Sequence, residues 1–387
     1  MNAGHTFALS PPKLLQVFVS SPSDVKEERD ICRKVLHELQ RDRLRAQSLR
    51  IRPFLWEDDS VPGVGADAQA VVSETIAGNN EAFDFRIVVC ILWTRLGTRT
   101  RFMLSGTVEE VVRFLLDPTV DKTHLLLYVS DRPVAPSAID ITQLLGVRRF
   151  LEAFLLVGGL SCSYASTAQF EAQLRTHLRE AVDLCSSTAA NKRPRALPLV
   201  PGDNIINYAR RQIGEIDRLA AQAADNLKNC CALLSTCANL SMEMAAADDR
   251  GGRQTIEQHL RAFLTHVEEH FRYAPLGSGA ATLKAARILV AFGGVLTEEM
   301  QPLHVELVAA VGKLLERQNP LIETVLSFCN TVIVNWPAEI VPIPQGSVLD
   351  LIRSDAEAFP ALESEVQSLG RVLTAHRQVP VAPSRPD

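Results

Sequence analysis

Short apolar runs alternate with amphipathic stretches through the first half of the chain, and a purely helical periodicity replaces them in the second. The runs Leu14–Val19, Ile51–Trp56, Ile87–Leu92, His124–Val129 and Leu160–Tyr164 have strand length. The third, Ile-Val-Val-Cys-Ile-Leu, is rich in β-branched residues and shows no alternation. It suits a strand buried on both faces of a parallel sheet. Pro53 places the second strand towards an edge. Between the runs, Val25, Ile31, Val35, Leu36 and Leu39 share one helical face, with Lys26, Glu27, Glu28 and Arg29 outside it or at its edge. Ser21 as N-cap, Pro22 at the first helical position and Asp24 predict how that helix begins. Further helices are predicted over Asp67–Ile76, Val108–Leu115 and Val147–Val157, and from a Thr167 cap through Phe170, Leu174, Leu178 and Val182.

Strands alternating with helices imply right-handed crossovers and a parallel sheet covered on both faces. The expected order is flavodoxin-like, 2-1-3-4-5, with the first and third strands side by side at the switch point. Ser186–Gly202, with its Pro, Arg and Lys, reads as a linker between an α/β domain over 13–185 and a helical domain over 203–378. In the latter, Ile206, Ala209, Ile213, Ile216, Ala220, Ala223, Leu227, Cys230, Leu234 and Cys237 form a heptad-like seam. A helix of that length needs cover from later helices, from a second copy of the chain, or from both. Helices are also predicted at 253–273, 282–296, 302–317, 321–335 and 348–376, before a disordered tail over 379–387.

Composition narrows the functional classes. With 387 residues and 47% hydrophobic content the chain can build more than one core. A net charge of −5 argues against general nucleic-acid binding, which draws on positive charge. The 8 cysteines show no CxxC spacing and fall mostly in apolar runs, the usage of a reduced, cytoplasmic protein. No apolar stretch reaches the ~20 residues that cross a bilayer, so no membrane partner is expected.

Candidate chemistry gathers after the third strand. Trp93, Arg95, Arg99, Ser105, Thr107, Glu109 and Glu110 follow one another there, where open α/β sheets bind ligands. Glu109 and Glu110 also suit a helix's first turn simply by complementing its dipole. Ser20 and Ser21 end the first strand, where helix amides bind phosphate; for Ser21 a plain cap is the competing role. Arg95 and Arg99 match a diphosphate grip, or surface pairing with Asp58 or Asp59. Trp56 is placed to stack on a nicotinamide or adenine ring, with core packing as its alternative. His266 and His270 fit H-x-x-E-H, with His259 nearby, but no third ligand accompanies them. A solvated helix face is the simpler role, and no metal is expected.

The segments Val17–Arg29 (VFVSSPSDVKEER), Trp56–Val72 (WEDDSVPGVGADAQAVV), Ile91–Thr100 with Ser105–Glu110 (SGTVEE), and Phe170–Leu178 (FEAQLRTHL) together resemble the TIR-like domain of bacterial defence and signalling proteins. That domain often precedes STAND-type NTPase modules. The resemblance covers residues 13–185, and no Walker A motif follows. It implies an enzyme that cleaves the nicotinamide–ribose bond of NAD as substrate, with no cofactor. Glu110 matches the catalytic glutamate, and Gly106-Thr107 stand where such enzymes carry a Trp-Cys or Ser-Cys pair. It also implies activation through homo-oligomers, with the helical domain sensing a signal or a protein partner. The alternative is a non-enzymatic module that binds a nucleotide or a protein.

Overall fold

The computed structural model describes residues 13–45, 49–55, 85–116, 124–187, 205–248, 252–276 and 279–378. Trp56, the acidic loop 57–65, the helix expected over 67–76, most of the linker and the tail lie outside them. The chain divides into two compact units: Met1–Ile206 with Phe292–Gln301, and Asn207–Ala291 with Pro302–Asp387.

The first unit is built on five parallel strands: β1 (Lys13–Ser20), β2 (Leu49–Leu55), β3 (Phe85–Leu92), β4 (Leu125–Ser130) and β5 (Ser161–Tyr164). Their order is 2-1-3-4-5, as the alternation of elements implies. Every residue from Ile87 to Leu92 is at most 2% exposed, so β3 is covered on both faces. Its odd residues Ile87, Val89 and Ile91 join Leu15, Val17 and Val19 of β1 in one core, closed by α1 (Lys26–Arg45) and α4 (Thr167–Ser187). Cys32, Val35 and Leu36 of α1 meet Phe170, Leu174 and Leu178 of α4 in that core. On the opposite face α2 (Gly106–Leu116) packs against β1 and β3.

Local chemistry moves two helix starts. Ser21 does not cap α1: a 3-10 turn at Ser23–Val25 precedes the helix, Pro22 sits at its N-cap without a side-chain bond, and Ser21 Oγ accepts from Arg29 Nη1 instead. α3 (Ile141–Leu156) begins earlier than Val147, because the Asp140 carboxylate accepts from the amides of Thr142 and Gln143. That is an N-cap in the usual sense.

Phe292–Gln301 completes this unit. Met103 pairs antiparallel with Leu296, Leu104 N donates to Val295 O (2.9 Å), and Thr297 N donates to Phe102 O (3.1 Å). Phe292 packs on Phe150 of α3 with ring centroids 5.7 Å apart.

The second unit is helical: α5 (Ile205–Asp248), α6 (Arg253–His270), α7 (Gly279–Ala291), α8 (Gln301–Phe328) and α9 (Val348–Gln378). The expected break at Pro320 is absent; α8 runs through it and ends in a π turn at Cys329–Ile333. The seam of α5 is buried at Ala209, Ile213, Ile216, Ala220, Ala223, Cys230 and Cys237, whereas Ile206, Leu227 and Leu234 lie at its margin. At its centre Asn226, 1% exposed, exchanges bonds with both backbone groups of Ala274. Asp355 of α9 accepts from Tyr273 Oη and Leu276 N, which ties down the same stretch. The seam's middle is thus covered by this chain's own residues. Among the described residues no helix is long and apolar enough to cross a membrane.

His304, 4% exposed, donates from Nε2 to Val290 O and stands 4.7 Å, centroid to centroid, from His376. Burial first, and His376 second, depress its pKa from 6.5 to about 4. The folded state therefore binds fewer protons there than the unfolded chain. Stability present above pH 6.5 is lost as pH falls towards 4, on the order of 2 kcal/mol by pH 5. Urea unfolding should show that slope, and His304→Gln, which keeps a donor for Val290, should flatten it.

Candidate functional site

β3 leaves the sheet at Leu92, and from Thr94 to Gly97 four successive peptide N–H groups are taken by side chains from elsewhere. Thr94 N and Arg95 N donate to Asp24 Oδ2 (3.1 Å each), and Thr94 Oγ1 donates to the same oxygen (3.0 Å). Leu96 N and Gly97 N donate to Gln143 Oε1 (2.9 and 3.0 Å). Gly97 then turns the chain at φ +116, and a Cβ there would lie 3.3 Å from Ser105 Cβ and 3.6 Å from Thr107 Oγ1. Only glycine fits both the dihedral and the close approach. Gly106 N donates back to Thr98 O (3.0 Å), and Ser105 Oγ accepts from Val108 N (3.1 Å), capping α2. The loop is thereby folded onto the start of the helix that carries both glutamates.

The two glutamates have different surroundings. Glu109 is 2% exposed; it accepts from Thr100 Oγ1 (2.7 Å) and from Arg113 Nε and Nη2 (3.1 and 2.7 Å). Both its oxygens are engaged in holding the loop and helix together. Glu110 is half-buried and accepts from Ser20 Oγ at 2.5 Å. Ser20 is the last residue of β1 and pairs in register with Cys90 of β3. The bond therefore ties the N-terminal half of α2 to the carboxyl end of β1, beside β3 at the switch point. Burial first and the Glu110 charge second push the Cys90 thiol up, so it stays protonated beneath the pair.

The other residues singled out by sequence fall around this pair with mixed roles. Ser105 is fully buried as a cap, and Thr107 is buried under Gly97. Arg95 and Arg99 are exposed. Trp93 donates from Nε1 to Arg132 O (3.1 Å), and the Arg132 guanidinium covers its ring at 4.5 Å. Arg132 also pairs with the fully buried Glu28 (2.6 Å), which accepts from Tyr164 Oη (3.0 Å). Burial, then Glu28, raise the Tyr164 pKa, so the phenol keeps the proton it donates. His266 and His270 stack at 4.4 Å on an exposed face, and His270 Nδ1 donates to His266 O. Among the described residues no cluster of three or more metal-ligating side chains occurs.

Asp24, Gln143, Glu28 and Arg132 were not singled out as site residues from sequence. Asp24 read as part of a helix start. The pairs Asp24–Thr94 and Gln143–Leu96 link positions 70 and 47 apart, which no local pattern reveals. Comparison with family models, curated proteins and solved structures gives no match for this chain.

Chemically, the arrangement supplies one partly exposed carboxylate beside a hydroxyl donor on a rigid loop. Glu109→Gln should destabilise the first unit by about 1.5–3 kcal/mol, the range for hydrogen bonds to charged groups. Glu110→Gln keeps an acceptor for Ser20 Oγ on a half-buried side chain and should lower the thermal midpoint less than Glu109→Gln does. Gly97→Ala should cost at least about 1 kcal/mol through the strained dihedral. Calorimetry on the three variants checks this order.

Proposed function

We propose that the α/β unit hydrolyses NAD at the nicotinamide–ribose bond, in the manner of the TIR-like domains its sequence resembles, with Glu110 as the catalytic carboxylate. The observation that carries the reading is the contact of Glu110, in the N-terminal half of α2, with Ser20 at the carboxyl end of β1, which pairs with β3. It lies at the sheet position where open α/β folds take ligands.

The reaction consumes NAD and water and yields nicotinamide, ADP-ribose and a proton. Nicotinamide departs as a neutral base, so the step needs little acid catalysis. It needs negative charge beside a ribose that becomes oxocarbenium-like. Glu110 supplies that charge and an acceptor for a ribose hydroxyl, and Ser20 orients it by donating to one of its oxygens. Glu109, with both oxygens engaged, is the scaffold for its neighbour. Arg95 and Arg99, exposed on the same loop, are the candidate diphosphate contacts. The helical unit is assigned regulation of this activity, in a bacterial defence or signalling role, by a signal or a protein partner.

Nicotinamide release from NAD by the purified full chain tests the reading. Wild type should turn over, and Glu110→Gln should lose about a hundredfold or more in kcat while circular dichroism shows the fold retained. Turnover retained in Glu110→Gln removes the assignment. A wild-type chain that binds NAD without cleaving it favours a nucleotide-binding module instead.

A further inference from the structure

Nine large hydrophobic side chains are exposed among the described residues, and five of them lie between Ile141 and Leu160. Ile141 (78%), Leu145 (46%), Leu155 (60%) and Leu156 (38%) are on α3, and Leu160 (86%) follows in the turn after it. Ile141, Leu145, Arg148, Glu152 and Leu155 step by four, three, four and three, which puts them on one stripe of the helix. Its opposite side, with Val147, Phe150, Ala153 and Phe154, is buried in the first unit. The stripe runs the length of α3, about 24 Å by helical rise. Scattered exposed leucines need no explanation, but five of the nine exposed large hydrophobics gathered on and just after one helix make a candidate interaction surface.

The order of residues along the stripe says what fits it. Apolar side chains occupy both ends, and Arg148 and Glu152, both exposed, occupy the middle. Among the described residues neither is in a salt bridge or side-chain hydrogen bond. Laid antiparallel on its own copy about a two-fold axis near Phe150, the stripe is self-complementary. Arg148 of one copy faces Glu152 of the other, twice by symmetry. Leu145 faces Leu155, and Ile141 meets the Leu156–Leu160 end. An isologous contact demands such a patch, on which each residue finds its counterpart in the other copy. A parallel or shifted pairing would set like charges, or a charge and a leucine, against each other.

We infer that the outer face of α3 is a homodimer interface in which two copies of this chain pair their α3 helices antiparallel through the Leu145–Leu155 and Arg148–Glu152 contacts. A helix pair of this length sits at the small end of specific interfaces, so the dimer is weak and concentration-dependent. The inference stands independently of the role of Glu110.

The test is sedimentation of the full chain between about 1 and 100 µM, a range that brackets micromolar dissociation. Arg148→Glu and Glu152→Arg each set like charges across the axis twice, and each should raise the dimer dissociation constant by about tenfold or more. All the exchanged side chains are on the surface, and circular dichroism confirms that folding is unaffected. An equimolar mixture of the two variants should dimerise again, because every facing pair is then of opposite charge. The double variant Arg148→Glu/Glu152→Arg should self-associate like wild type for the same reason. A wild-type chain that stays monomeric at 100 µM, single variants that dimerise as wild type does, or a mixture that fails to recover would each overturn the inference.

Discussion

The site depends on how the backbone that leaves β3 satisfies its hydrogen bonds. Past the end of a strand the peptide N–H groups lose their sheet partners, and those that are shielded need other acceptors. Asp24 takes the amides of Thr94 and Arg95, and Gln143 takes those of Leu96 and Gly97. Gln143 is in turn held by the Asp140 cap, so the start of α3 and the turn after β1 jointly define the loop's path. Everything downstream inherits that path: the left-handed turn at Gly97, the return of Thr98 to Gly106, and the orientation of α2. Glu110 reaches Ser20 only because the loop delivers α2 at that angle.

Adjacent acidic residues have divided their work along the same logic. Glu109 points inward and holds Thr100 and Arg113, which costs it any freedom to meet a ligand. Glu110, one residue on and about 100° round the helix, comes out at the strand ends. The loop's far side is closed by Val295, Leu296 and Thr297, whose backbone pairs with Leu104, Met103 and Phe102 respectively. Thr100, the residue bonded to Glu109, sits immediately before that pairing and itself accepts from Phe102 and Met103 amides. The position of Glu109 is therefore braced from two distant parts of the chain.

What was legible in the sequence followed from short-range periodicity. The unbroken run Ile87–Leu92 announced a doubly covered strand, and the spacing of elements implied the order 2-1-3-4-5. Both are present. The failures were at points where a side chain had two possible partners. Ser21 and Asp24 carry the composition of a helix cap, yet Arg29 and the Thr94 loop take them, because long-range amides in a buried site need acceptors more than a solvated helix start does. Pro320 reads as a breaker, yet α8 continues, with Leu321, Ile322 and Val325 buried beyond it. The packing of that apolar face outweighs the one hydrogen bond that proline removes. Phe292–Gln301 gave no local sign of joining the α/β unit, since backbone pairing with residues 102–104 leaves almost no mark on side-chain identity.

The same limit bears on association. Two helices of this chain carry apolar stripes with three- and four-residue steps, and their fates differ. The seam of α5 is long and strongly patterned, and it calls for cover from later helices, a second copy or both; its central residues are buried by this chain, around Asn226 and the Ala274 backbone. The stripe of α3 is shorter and is interrupted by Arg148 and Glu152; it is the one left bare. Periodicity specifies that a helix has an apolar face and says nothing of whose residues will cover it. What separates the two cases is the polar group at the centre. Asn226 is satisfied by a backbone in its own chain, which makes its seam a core. Arg148 and Glu152 have no salt bridge among the described residues and are matched in sign and spacing to a rotated copy of themselves, which gives their stripe the character of an interface.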